Sequence, residues 1–197
     1  TGSFGDFNAI SFNGNKIITG SSGGMYLTDS KEDADRVRKW STQSREPAPW
    51  YQHEEIGYNY RMSNVIAGVV RGQLPHLEEH IAQKRAIYER YKAGLAGLPV
   101  QMNPYDAANS VPNFWLCCMI IDGCAVGEGR GKTTPAKILE RLADMNAEGR
   151  PIWKPMHLQP IYKNNAYVTA EGLYDGGADV GSDIFRRGLC LWDHRLE

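Results

Sequence analysis

The dipeptide Asn13-Gly14 predicts that the chain reverses direction between two runs that are typical of β-strands. Asn-Gly is strongly favoured in two-residue hairpin loops, because both positions of such a turn need a positive φ. Residues 8–12 would form the first strand and residues 16–19 the returning strand. This register sets Ser11 opposite Lys16, with their Cβ atoms about 5 Å apart.

A lysine beside a hydroxyl at the tip of a hairpin suits a phosphate-bearing aldehyde. The amine can form a Schiff base, and the hydroxyl can donate a hydrogen bond to the phosphate. The spacing alone leaves a second interpretation open, in which Lys16 near a turn is simply solvated.

The remaining pattern alternates helical and strand signals and predicts an α/β or α+β fold. Ser30, with Asp33 three residues later, and Thr134, before Pro135, are typical helix N-caps. The predicted helices cover 30–40, 62–73, a segment from Pro75 to about 98, and a segment from Thr134 that ends at Gly149. The predicted strands beyond the hairpin cover 25–28, 113–122 and 187–192.

Composition excludes several function classes. The chain has 197 residues and a formal net charge of −1, which gives no electrostatic reason to expect nucleic acid or membrane partners. We find no apolar run of membrane-spanning length and no signal peptide. The four cysteines show no metal-ligand spacing, so a reduced, cytoplasmic protein is the simpler interpretation.

Four blocks along the chain together resemble the lysine signature and later motifs of one enzyme family. The blocks are Ser11-Phe12-Asn13-Gly14-Asn15-Lys16 with Gly23-Gly24-Met25, residues 55–63 (EIGYNYRMS), residues 150–159 (RPIWKPMHLQ), and residues 188–191 (GLCL). The family is DegT/DnrJ/StrS, whose members are fold-type I, pyridoxal-phosphate-dependent nucleotide-sugar aminotransferases. The resemblance covers nearly the whole chain.

The resemblance implies roles for three residues. Lys16 matches the Schiff-base lysine, Ser11 a phosphate-binding serine, and Asn59 an asparagine that reaches the cofactor phosphate of the neighbouring subunit. It therefore implies pyridoxal 5'-phosphate as cofactor, a homodimer, and amino transfer from a donor such as glutamate to a 4-keto group of a nucleotide-linked sugar, in cell-surface glycan synthesis. Lys16 itself favours transamination over the dehydration of members that carry histidine there.

The resemblance also implies a fold and a domain division. The chain would be the C-terminal portion of a fold-type I transferase. Residues 1–63 would be the tail of the large cofactor-binding domain, 64–98 the connecting helices, and 99–197 the small α+β domain.

The family residues that tune the pyridine ring have no match in this chain, so we expect a fragment. The aspartate that pairs with the pyridine nitrogen lies well upstream of the lysine strand in the family. We therefore expect weak or no cofactor binding and no turnover by this stretch alone. The alternative function is a truncated, non-catalytic module that folds or dimerises.

Two further motifs have simpler explanations. The stretch from His76 to His80 fits the inverted zincin pattern H-x-x-E-H, but a solvated helix start explains it and we assign no metal site. Residues 127–133 resemble a phosphate-binding loop that lacks its first glycine, and a loop before the helix at Pro135 explains them.

The aromatic residues Trp50, Tyr51, Tyr58 and Tyr60 could stack on a nucleotide base or anchor their own loop.

Overall fold

A computed structural model describes residues 2–169, 172–173 and 179–191 of the chain. Contacts divide it into two compact units, Thr1–Ile81 and Ala82–Glu197. Both strands and helices are present, as the predicted mixed α/β class requires. The predicted assignment of 1–63, 64–98 and 99–197 to three parts of a transferase stays a prediction.

Five α-helices lie within the described residues. They are α1 (Lys31–Ser41), α2 (Asn64–Gln73), α3 (Leu77–Gly94), α4 (Pro135–Asp144) and α5 (Val180–Arg187). Four short 3-10 turns accompany them, at Leu74–His76, Gly123–Ala125, Met156–Leu158 and Pro160–Tyr162.

Two predicted helix N-caps, Ser30 and Thr134, are confirmed. Ser30 Oγ accepts a hydrogen bond from Asp33 N at 3.2 Å, and Thr134 Oγ1 accepts one from Lys137 N at 3.3 Å. Such caps satisfy one free N–H of the first turn and each stabilises a helix by about 1 kcal/mol. Pro75 lies in a 3-10 turn, so the helix predicted from that residue begins two residues later, at Leu77.

The predicted helix end at Gly149 is wrong, because α4 ends at Asp144. Asn146 adopts a left-handed φ of 56° just after the helix. The N–H of Ala147 then reaches the carbonyl of Leu142 at 2.9 Å, which is the bond pattern of a Schellman motif. Asparagine tolerates this conformation, so the end of α4 does not require a glycine.

Eight strands lie within the described residues. They are β1 (Asn8–Ser11), β2 (Gly24–Leu27), β3 (Val100–Met102), β4 (Cys117–Ile121), β5 (Gly149–Pro151), β6 (Val168–Thr169), β7 (Gly172–Leu173) and β8 (Gly188–Leu191). Trp192, the end of the predicted last strand, lies outside the described residues.

The predicted hairpin around Asn13-Gly14 is wrong. β1 pairs with β2 in antiparallel register, so Ser11 lies opposite Gly24 and not opposite Lys16. Neither Asn13 nor Gly14 has the positive φ that a two-residue hairpin turn needs. The chain still turns here, but one residue later, because Lys16 N donates to Asn13 O at 3.0 Å.

The second unit is built around an antiparallel sheet with strand order β3-β4-β8-β5. On one face of this sheet, Met119, Leu189 and Leu191 form a buried cluster, against which Ile138 and Leu142 of α4 pack. Leu189 is fully buried, and all four residues of β8 are buried. This sheet therefore lies at the centre of its unit.

Candidate functional site

Lys16 lies in a closed loop between β1 and β2, residues 12–23, here called the lysine loop. The loop is closed at its base, where Phe12 N donates to Gly23 O at 3.0 Å and Gly20 N donates to Phe12 O at 2.9 Å. Lys16 is the fourth residue of the turn that begins at Asn13, and its side chain is partly buried.

Two apolar side chains on either side of Lys16 anchor the loop. Phe12 and Ile18 are buried and form a cluster with Val70 of α2. Ile17, Met62 and Leu77 pack against the same cluster and are partly buried. The backbone before and after Lys16 is therefore fixed against the first unit's own helices.

Gln73, the last residue of α2, holds the returning side of the lysine loop through its amide. Its Oε1 accepts from Thr19 N at 3.1 Å, and its Nε2 donates to Thr19 O at 2.6 Å. The same Nε2 lies 2.9 Å from Val69 O, which fixes the side chain to its own helix. His80 Nδ1 adds a contact with Ile17 O at 3.3 Å.

Sequence patterns give no signal for Gln73, and they place His80 only in a motif that resembles a metal site. Gln73 and Thr19 are 54 positions apart, and a glutamine near a helix end carries no signal of its own. Only the fold brings them together.

Ser11 is the last residue of β1 and is exposed at the start of the lysine loop. Its Oγ accepts a hydrogen bond from Asn13 N at 3.3 Å. A hydroxyl on the residue before the lysine loop and a primary amine within the loop thus lie on one short stretch of backbone.

Asn59 lies in a second ordered segment, residues 42–61, here called the aromatic loop. Asn59 forms an antiparallel bridge with Thr42. The flanking backbone is tied to the end of α1, because Tyr58 N donates to Trp40 O at 2.7 Å and Tyr60 N donates to Ser41 O at 3.0 Å. Asn59 itself is exposed.

Lys39 of α1 holds the aromatic loop through two ion pairs. Lys39 Nζ lies 2.6 Å from a carboxylate oxygen of Glu46 and 2.9 Å from one of Glu55. These two partners, Glu46 first, raise the pKa of Lys39 above its ordinary value. The Lys39 ammonium, together with the Trp40 indole that donates to Glu55 at 3.1 Å, lowers the pKa of Glu55.

Two backbone segments of the aromatic loop approach so closely at Gly57 that no side chain fits between them. A Cβ atom on Gly57 would lie 2.2 Å from Gln43 C and 2.2 Å from Ser44 N. Ser44 is fully buried and donates through Oγ to Ile56 O at 3.1 Å. Glycine is thus required for the two sides of the loop to approach.

An open depression of about 600 Å³ lies on the aromatic loop and includes Asn59 in its lining. Gln43, His53, Glu54, Glu55, Ile56 and Gly57 complete that lining. The four aromatic residues of this loop are exposed, and the rings of Tyr58 and Tyr60 stack with centroids 5.3 Å apart. Their exposure does not fit the interpretation in which they are half-buried anchors.

The two motifs with simpler explanations form ordinary local structures. His76 Nδ1 lies 3.5 Å from Glu79, and both side chains are exposed. In the part of the chain that the structure describes, no three His, Cys, Asp or Glu side chains are grouped so that they could hold a metal ion. Residues 127–133 form a loop that a bridge between Val126 and Thr133 closes.

Among the described residues, we find no helix with both the length and the apolar character needed to cross a membrane.

The fold matches that of a solved aminotransferase. The aminotransferase TlmJ from Streptoalloteichus hindustanus superposes with a TM-score of 0.79, over 96% of this chain and 47% of that chain, at 23% identity. The family model of the DegT/DnrJ/EryC1/StrS aminotransferase family matches residues 1–183. This chain belongs to that family, as the sequence motifs predicted.

Curated relatives agree with this assignment. EpsN of Bacillus subtilis (strain 168), a protein provisionally named as a pyridoxal phosphate-dependent aminotransferase, is 43% identical over 97% of this chain and 46% of its own length. GDP-perosamine synthase of Vibrio cholerae is 33% identical over 96% of this chain and 50% of its own length. The chain thus spans about half the length of the curated relatives it matches.

The family implies dependence on pyridoxal phosphate, and the side chains of Ser11 and Lys16 are chemically compatible with two parts of that molecule. The aldehyde forms a Schiff base only with a primary amine, and the Lys16 side chain carries one. A phosphate requires hydrogen-bond donors, and the exposed Ser11 hydroxyl is one. The side chains present are therefore compatible with the aldehyde and phosphate ends of the cofactor.

Proposed function

We propose that this chain provides the lysine-bearing part of an enzyme that transfers an amino group from an amino acid to the 4-keto group of a nucleotide-linked sugar. Glutamate is the proposed donor, and the product would serve cell-surface glycan synthesis. The observation that supports this most is the anchored lysine loop, since Phe12 and Ile18 fix the backbone on both sides of Lys16. The relationship to a GDP-perosamine synthase supports a nucleotide-linked substrate.

Each of the three proposed site residues would have one task. Lys16 Nζ would hold the cofactor, and would then accept and return the proton of the reacting substrate carbon. The Ser11 hydroxyl would donate to the phosphate, and Asn59 would reach the phosphate in the partner subunit's site. Pyridoxal phosphate, when bound, supplies an electron sink for that carbon.

Substitution of Lys16 tests the catalytic assignment. In the full-length enzyme, we expect Lys16→Ala to lower the rate at which glutamate is converted to 2-oxoglutarate by at least about a thousandfold, because the proton carrier is lost. Lys31→Ala is the matched control, since Lys31 is an exposed lysine that pairs with Asp35 on α1. Circular dichroism should show that both variants are folded. Turnover by Lys16→Ala near the wild-type rate would contradict the assignment.

The proposed homodimer with shared sites can be tested by mixing inactive variants. If Asn59 serves the partner's lysine, a mixed dimer of Lys16→Ala and Asn59→Ala contains one fully intact site and one doubly impaired site. Random exchange of subunits should then restore about a quarter of the wild-type activity, as a two-fold symmetric dimer requires. No recovery beyond that of the separate variants, in a sample shown by sedimentation to be dimeric, would contradict the shared site.

The second candidate function is a non-catalytic module that associates through apolar surface. The ribbon formed by β1 and β2 favours it, because Ile10 and Met25 are exposed there and Phe7 stacks on Tyr26. No residue of this chain matches the family's pyridine-nitrogen aspartate, so we expect this stretch alone to release no 2-oxoglutarate. Sustained release by this stretch, dependent on Lys16, would exclude the second candidate.

A further inference from the structure

Two thiols face each other in the middle of the four-stranded sheet, outside the proposed active site. Cys118 of β4 and Cys190 of β8 are direct partners in the antiparallel register. Their sulfur atoms are 3.1 Å apart, and both cysteines are free thiols.

Backbone hydrogen bonds show which kind of strand position the pair occupies. Both backbone groups of Cys118 point away from β8, because Cys118 O accepts from Asn103 N at 2.8 Å and Cys118 N donates to Asn103 Oδ1 at 3.0 Å. On β8, Gly188 O accepts from Ile152 N at 3.4 Å, next to β5. Cys190, two residues later, has the same orientation, because backbone direction repeats every second residue.

The two cysteines therefore form a non-hydrogen-bonded pair. At such positions, opposite Cα atoms are about 4.5 Å apart and the side chains approach most closely. That spacing lies at the short end of the range that disulfides span, so the two strands are already close enough for the bond.

The surroundings make the two thiols unequal. Cys190 is 3% exposed, whereas Cys118 is partly exposed and can be reached from solvent. The hydrogen bond between the two sulfur atoms lowers the pKa of Cys118 and, together with burial, raises that of Cys190. Since the thiolate is the nucleophile, Cys118 is the residue that reacts first.

We propose that Cys118 and Cys190 are an oxidisable pair that a small disulfide converts to an intramolecular disulfide across β4 and β8. The Cys118 thiolate attacks one sulfur of the small disulfide, and the other sulfur leaves as a thiolate. Cys190 then loses its proton and attacks Cys118 Sγ, which releases the second small thiolate. The two cysteines lose two electrons and two protons in total, and the small disulfide is reduced to two thiols.

The other two cysteines provide internal controls. Cys117 precedes Cys118 on β4 but is fully buried on the opposite face of the sheet, and Cys124 is exposed in the 3-10 turn after β4. If exposure alone determined reactivity, Cys124 would react and the Cys118–Cys190 pair would not.

Oxidised glutathione is a suitable probe, followed by alkylation of the remaining thiols and peptide mapping by mass spectrometry. We expect one linked peptide that joins Cys118 to Cys190, with the loss of two hydrogen masses and reversal by dithiothreitol. Cys124→Ser should leave the yield of this peptide unchanged, and Cys118→Ser should abolish it. Cys190→Ser should instead accumulate a glutathione adduct on Cys118.

The peptide map of the wild-type chain tests the proposal even if a substituted chain folds poorly. A folded wild-type chain whose four cysteines are all alkylated after oxidation, or in which only Cys124 forms linkages, would overturn the proposal. A Cys190→Ser chain that is folded and carries its adduct only on Cys124 would overturn it as well.

Discussion

The two-stranded ribbon of the first unit and the four-stranded sheet of the second unit share antiparallel pairing but differ in burial. Ile10 in β1 is 41% exposed, whereas Ile121 in β4 is 1% exposed. Three of the four residues of β1 are exposed, while all four residues of β8 are buried. Strand pairing alone therefore does not produce a core.

The sheet of the second unit and the two loops of the first unit are therefore stabilised by different forces. In the second unit, burial of apolar side chains on one face of the sheet supplies the stabilisation. In the first unit, the lysine loop depends on a small cluster and on the Gln73 amide, and the aromatic loop depends on backbone hydrogen bonds and Lys39. Polar contacts of this kind fix geometry more than they add stability.

The largest expected effect comes from matched isoleucine truncations. Ile121→Ala should lower the free energy of unfolding by about 2–5 kcal/mol, because it leaves a cavity in a closely packed core. Ile10→Ala should cost less than about 1 kcal/mol, because its side chain already contacts water. Urea titration followed by circular dichroism measures both values.

Equal losses for these two variants would contradict the comparison. They would mean that the ribbon is covered in solution, for example by a second copy of the chain. Repeating the titration over a range of protein concentrations separates the two cases, since a covered ribbon gives a concentration-dependent midpoint.

A smaller effect is expected from a matched pair of glycine substitutions in the first unit. Gly57→Ala should destabilise by about 1–3 kcal/mol, because the new methyl group would collide with the backbone of Gln43 and Ser44. Gly68→Ala in α2 meets no atom within 4 Å, and should stabilise the helix by about 0.5–1 kcal/mol. Thermal unfolding should thus shift in opposite directions, and equal shifts would show that the close approach in the aromatic loop is not formed.

Features set by neighbouring residues could be predicted from the sequence. The N-caps at Ser30 and Thr134 were found because a cap depends on a side chain and a backbone N–H three residues apart. The partner of β1 was not found, because the Asn-Gly signal reports a turn but not which later strand pairs with β1. The end of α4 was missed for a related reason, since asparagine took the left-handed position usually occupied by glycine.

The site was predictable in part. The motifs assigned the family, which the family model confirms, whereas the roles of Ser11, Lys16 and Asn59 stay predictions. The residues that hold the lysine loop could not be predicted, because Gln73 acts across 54 positions and no periodic pattern records such a contact.

The two hydrogen bonds between the Gln73 amide and the Thr19 backbone have a consequence for ligand binding. A free loop loses about 1–2 kcal/mol of conformational entropy for each residue that becomes ordered. Here the residues after Lys16 are held in one conformation by the fold itself, so that loss occurs when the chain folds and not when a ligand arrives. A ligand that binds at this loop would then bind more tightly, because less of its contact energy is used to order the loop. Its association would also be faster, because binding needs no prior ordering of the loop.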